Sequence, residues 1–213
     1  MGTITRWFLL PGMGASSAMY NALRRKIDFK IDFKIDFLDW PAYRGEQTYA
    51  EVARRIIDDN GVESGDIIGG SSLGGMIALE MSRVVEPRSV VLIGSAVHAG
   101  EVQTLLALLS PLAAITPISV VQVAAGKQKN LVSTMFSEAD TEFIRAMCAY
   151  LPHWSGYDGK MDNIYRLHGG RDHVIPCPSH GTTVIPDAGH LVAMTHADET
   201  AAFLKMVRDR LIS

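Results

Sequence analysis

Residues 66–75 read Asp66-Ile67-Ile68-Gly69-Gly70-Ser71-Ser72-Leu73-Gly74-Gly75. An apolar run leads into glycines and serines, and a helical pattern follows from Leu73 to Val85, ending before Pro87. Gly70-Ser71-Ser72-Leu73-Gly74 fits the G-x-S-x-G pattern, in which a sharp strand-to-helix turn holds a serine in a strained conformation. The flanking glycines remove side chains that would clash, and the helix N-terminus favours negative charge beside the hydroxyl. Without a lysine after the glycines the segment is not a phosphate-binding P-loop. Ser72 is therefore a candidate nucleophile.

Outward from this turn, the chain carries six short apolar runs: Ile4–Leu10, Ile35–Asp39, Asp66–Gly69, Ser89–Ile93, Asn163–His168 and Thr182–Ile185. Most are continuous rather than alternating, the mark of parallel strands covered on both faces. Helical patterns lie between the first four. One is capped by Ser16 or Ser17 and runs to about Arg25. Another runs from Thr48 to Asp59 and stops at Asn60-Gly61. A last helix spans about Ala197 to Leu211. Strands alternating with helices predict an α/β fold with a mostly parallel, doubly wound sheet of about six strands.

From Val97 to Gly159 the alternation lapses into helical or irregular material, including Glu138–Tyr150 and a run from Glu101 to Lys127 with no charge between its ends. The expected organisation is a core of residues 1–96 and 160–213 with a helical cap of residues 97–159. An uncharged cap over the sheet's carboxyl edge suits an apolar pocket; packing on the core is an equal alternative for each residue. Pro111 and Pro117 argue against a membrane span.

A threefold Lys-Ile-Asp-Phe repeat covers Lys26–Phe37. Its period of two, with one charged face, suits an edge strand. The repeat either lengthens that strand or its entering loop, or pairs edge to edge in a homodimer.

A serine needs a base. His190, in Asp187-Ala188-Gly189-His190-Leu191, follows the last strand and precedes the last helix, so it can reach back over the sheet's carboxyl edge. His98, His153, His168, His173, His180 and His196 are less well placed. The base needs an orienting carboxylate. Asp172, in His168-Gly169-Gly170-Arg171-Asp172-His173-Val174-Ile175-Pro176, follows a strand, and the order Ser72, Asp172, His190 suits a serine on a strand-to-helix turn. Asp187 is too close in sequence to His190. For a developing oxyanion, the Pro11–Gly14 turn after the first strand can present the Met13 N–H, and the Leu73 N–H follows the nucleophile. A dinucleotide reading of Gly12-Met13-Gly14 fails because Ser17 stands where a third glycine belongs.

With 213 residues, nearly half apolar, the chain suits one globular domain. A net charge of −3 without a basic stripe excludes nothing on its own but gives no sign of nucleic-acid binding. Cys148 and Cys177 have no metal-ligand spacing. Two isolated thiols and a start without signal-peptide features make a cytoplasmic location the expectation.

The turn at Pro11–Gly14, the elbow at Gly70–Gly74, the loop at Gly169–Pro176 and the Gly189-His190 pair together resemble the α/β-hydrolase superfamily across nearly the whole chain. The resemblance implies esterase-, thioesterase- or lipase-like chemistry on a small-molecule substrate, with no metal and no organic cofactor. Three features depart from the family pattern. Pro11-Gly12 replaces the usual His-Gly, which removes a supporting side chain from the oxyanion turn. The first two strands of the full family sheet are missing. Asp172 and His190 are too close in sequence for a full helix between them. The same fold also hosts cofactor-free lyases or carbon–carbon hydrolases, for which Lys127, Lys129 or Lys160 are candidates, and non-enzymatic ligand-binding proteins.

Overall fold

The computed structural model describes residues 5–27, 33–104 and 140–212. Six strands form one all-parallel sheet: β1 (Thr5–Leu10), β2 (Phe33–Phe37), β3 (Ile67–Ser71), β4 (Ser89–Ile93), β5 (Ile164–Gly169) and β6 (Thr183–Ile185), in the order β2-β1-β3-β4-β5-β6. The chain reverses direction across the sheet after β2, so the carboxyl ends of β1 and β3 meet at the crevice where such folds place ligands.

Alternation along each strand divides the interior in two. Phe8, Leu10, Ile68, Val90 and Leu92 face one layer, made by α2 (Tyr49–Asn60), α3 (Leu73–Met81) and α4 (Thr141–Tyr150). Trp7, Leu9, Ile67, Val91 and Ile93 face the other, where α1 (Asn21–Arg24), α5 (Val192–Thr195) and α6 (Ala197–Ile212) pack. Burial on both faces is why these strands read as unbroken apolar runs. β2 is an edge strand, as its alternation predicts: Lys34 is exposed and Ile35 buried. Among the described residues the repeat supplies the five strand residues Phe33–Phe37; residues 28–32 lie outside the described residues.

Two helices differ from the sequence reading. The segment after Ser16 is a 3-10 turn, Ser17–Tyr20, running into the single turn of α1. Ser16 does cap it, accepting from the Ala18 amide. α3 ends at Met81 rather than Val85, because the Arg83 and Val84 amides bond three residues back, to Glu80 and Met81, and tighten the chain. α2 fits its signals closely, with Thr48 accepting from the Glu51 amide and Gly61 closing the helix at φ 59°.

Residues 105–139 of the expected cap, and with them most of the uncharged run, lie outside the described residues. The described remainder joins the core. α4 buries Phe143, Ala146 and Met147, Tyr49 donates its hydroxyl to the Met147 carbonyl at 2.9 Å, and Trp154 donates to Glu80 at 2.9 Å. Among the described residues no helix is long and apolar enough to cross a membrane.

Candidate active site

The elbow forms where β3 meets α3. Ser72 has φ 53° and ψ −119°, and among the described residues it is the single non-glycine with positive φ. That backbone costs on the order of 1–3 kcal/mol, and close packing holds it. A Cβ at Gly74 would lie 2.4 Å from the Pro11 carbonyl oxygen and 2.5 Å from that of Leu10; one at Gly70 would lie 2.6 Å from the Leu10 oxygen. Only glycine lets α3 start so close to the end of β1. The strain lifts Ser72 out of the buried strand, leaving it partly exposed while Ser71 and Leu73 are buried.

The three residues singled out in the sequence converge. Ser72 Oγ lies 2.9 Å from His190 Nε2, and His190 Nδ1 lies 2.8 Å from Asp172 Oδ2. Because the Asp172 oxygen can only accept, His190 carries its proton on Nδ1, which leaves the Nε2 lone pair facing the serine hydroxyl. Asp172 and His190 are both buried. Burial pushes the Asp172 carboxyl upward, but hydrogen bonds from His168, His190 and the Ile175 amide outweigh it and hold the group well below the usual carboxylate range. The loop between β5 and β6 is compact and has no helix among its residues. The end of β5 packs tightly on the segment after β6, since a Cβ at Gly169 would strike the Gly189 and Ala188 carbonyls at 2.4 and 2.5 Å.

His168, less well placed than His190 to act as the base, lies fully buried in β5. Its Nε2 sits 2.8 Å from the Ile175 carbonyl and 3.1 Å from Asp172 Oδ2. Both partners accept, so the proton is on Nε2, and Asp172 receives two imidazole donors. The other Asp172 oxygen accepts the Val174 and Ile175 amides at 2.8 and 3.0 Å. The signal available in sequence was the i, i+4 spacing of His168 and Asp172 around two glycines. Asp187, the rival carboxylate, pairs with His196 at 3.6 Å instead.

The Pro11–Gly14 turn lies against the elbow. A Cβ on Gly12 would be 3.8 Å from Ser72 Cβ. Trp40, just past β2, donates its indole N–H to the Gly12 carbonyl at 2.9 Å, and Ser95 donates its hydroxyl to the Ser72 carbonyl at 2.6 Å. Neither contact was read from sequence. Beside the turn opens a cavity of about 570 Å³, walled by Gly14, Trp40, Asp140, Phe143 and Ile144 among others. Cys148 and Cys177 are unpaired thiols; burial pushes Cys148 up to about 11. Lys160 is exposed, and Lys127 and Lys129 lie outside the described residues. Among the described residues no three His, Cys, Asp or Glu side chains gather as a metal site.

Comparison with known proteins places this architecture. The structure superposes on a hydrolase from Oleispira antarctica with a TM-score of 0.74 at 13% identity, covering 97% of this chain and 92% of that one. It also matches an N-acyl homoserine lactonase (TM-score 0.72, 17% identity, 96% and 90% covered). A third match is a thermophilic esterase from Thermogutta terrifontis (TM-score 0.69, 15% identity, 100% and 92% covered). At such identities these likenesses speak to fold alone. No curated protein sequence matches significantly. The sequence profile of the alpha/beta hydrolase family, however, matches residues 7–203, nearly the whole chain, and the protein belongs to that family.

Proposed function

We propose that the chain is a serine hydrolase acting on carboxylic esters or thioesters with an apolar part, with Ser72 as nucleophile, His190 as general base and Asp172 as the carboxylate that orients it. The observation that carries this reading is the unbroken hydrogen-bonded line Ser72–His190–Asp172, at 2.9 and 2.8 Å. His190 takes the Ser72 proton through Nε2 as the oxygen attacks the substrate carbonyl. The Met13 and Leu73 amides receive the oxyanion of the tetrahedral intermediate. His190 then gives the proton to the departing alkoxide or thiolate, leaving an acyl-serine. Water, deprotonated by the same imidazole, attacks the acyl group and restores Ser72. Asp172 stays ionised throughout and balances the imidazolium.

Support for the apolar part comes from Trp40, Phe143 and Ile144, which wall part of the cavity beside Gly14; Arg24, Asp39 and Asp140 line it as well. In this reading α4, part of the described portion of residues 97–159, walls that cavity. The names of the esterase and lactonase matches are in keeping with acyl-group chemistry.

The test is turnover of p-nitrophenyl butyrate. Ser72→Ala is expected to lower kcat/KM by at least about 10³ while retaining the wild-type unfolding midpoint. Full activity in that variant would overturn the assignment.

A further inference from the structure

An oxyanion donor is only as good as the orientation of its peptide plane. The described peptide bonds are all trans, so in each plane the N–H points opposite to the carbonyl of the preceding residue. The Met13 N–H shares its plane with the Gly12 carbonyl, and the Leu73 N–H shares its plane with the Ser72 carbonyl. Each carbonyl is held from behind. The Ser72 oxygen accepts the Gly75 amide at 3.0 Å, the Met76 amide at 3.3 Å and the Ser95 hydroxyl at 2.6 Å. The first two are the opening bonds of α3, so helix formation alone orients that plane.

The Gly12–Met13 plane has no helix behind it. Its carbonyl accepts the Ala15 amide at 3.1 Å, a local turn bond, and the Trp40 indole N–H at 2.9 Å. The residue at this plane is glycine, which gives the turn freedom to rotate. Trp40 comes from another strand's end, and its ring is braced by Phe143, with centroids 5.3 Å apart. Pro11-Gly12 lacks the side chain that a His-Gly turn would bring.

Resting on the hydrolase reading above, we propose that Trp40 is a positioning residue. Its indole N–H clamps the Gly12 carbonyl and so keeps the Met13 N–H turned toward the oxyanion, a task that α3 performs for Leu73. Trp40 touches no reacting atom; it acts through the peptide it holds.

Trp40→Phe keeps an aromatic wall and deletes the N–H. With p-nitrophenyl butyrate as probe, it is expected to lower kcat about tenfold or more while KM stays within twofold. Butylboronic acid, which forms a tetrahedral adduct on a reactive serine, should bind less tightly by a factor matching the loss in kcat/KM. Trp40→His, which retains a ring N–H, should recover part of the loss. Ser95→Ala should cost threefold or less, because two amides still hold the Ser72 carbonyl. In the wild-type chain with ¹⁵N-labelled indoles, the Trp40 N–H resonance should shift when butylboronic acid binds, which tests the link without any substitution. Unchanged kcat in Trp40→Phe, a rise in KM alone, or an indole resonance indifferent to the boronate would overturn the proposal. If Ser72→Ala stays active, the hydrolase reading fails first; if it is inactive while Trp40→Phe is not impaired, only the clamp fails.

Discussion

At the scale of single residues, charge and proton placement set the behaviour of the site. Asp172 accepts two imidazole N–H groups and two amides, so its folded-state pKa is depressed below that of the unfolded chain. The stability this provides is fully present above the unfolded value of about 3.9 and drains as pH falls from there toward the depressed folded value. Urea midpoints measured from pH 6 downward should therefore fall more steeply in the wild type than in Asp172→Asn below about pH 4. Parallel curves would show that the carboxylate is not held in its ionised form. His168→Leu removes one of the two imidazole donors and brings the folded-state pKa closer to the unfolded one, so the acid loss should begin at the same pH but be smaller and finish at a higher pH than in the wild type. The Ser72–His190–Asp172 constellation was legible because its members stand in fixed order on separate loops. His168 and Trp40 were not legible, since their roles depend on which atom of a ring meets which distant carbonyl or carboxylate.

At the scale of elements, the elbow depends on how closely α3 approaches β1. A methyl group at Gly74 meets backbone oxygens at 2.4 and 2.5 Å, whereas one at Gly100 meets nothing within 4 Å. Gly74→Ala is expected to destabilise the chain by about 2 kcal/mol or more, with loss of any turnover of p-nitrophenyl butyrate. Gly100→Ala should stay within about 0.5 kcal/mol of the wild type. Chemical denaturation of the two variants side by side checks the contrast. The same crowding explains what could be read in advance. Strands covered on both faces must be apolar throughout, so β1, β3 and β4 were plain in the sequence. β4 has the bounds its residues suggest, while β3 runs Ile67–Ser71 rather than Asp66–Gly69, because hydrogen-bond register with neighbours, rather than residue type, decides where pairing stops. The helix after Ser16 was read as one element, and local carbonyl geometry split it into a 3-10 turn and a single α-turn.

At the scale of the whole molecule, the segment leaving β4 is tied back to the sheet by charge. Glu101 pairs with Arg166 of β5 at 2.7 Å, and that guanidinium also donates to the Ser95 carbonyl at 3.1 Å. Burial pushes the Glu101 carboxyl upward, but Arg166 and the Val97 amide bring it below the usual range. Glu101→Ala strands a buried guanidinium and is expected to cost about 3 kcal/mol, read as a lower urea midpoint; an unchanged midpoint would show that water replaces the carboxylate freely. The parallel, doubly wound sheet and its two-layered core followed from the alternation of patterns along the chain, whereas the strand order did not. The place of the uncharged stretch was not legible, because its residues suit packing against the core and roofing a pocket equally well.

The central claim is that the Ser72 hydroxyl is the nucleophile. Intact-mass spectrometry after exposure to a fluorophosphonate, followed by peptide mapping, tests it most directly. One adduct per chain is expected, on the peptide containing Ser72, formed much more slowly in His190→Ala. An adduct on a different residue, or none under conditions where the protein hydrolyses p-nitrophenyl butyrate, would contradict it.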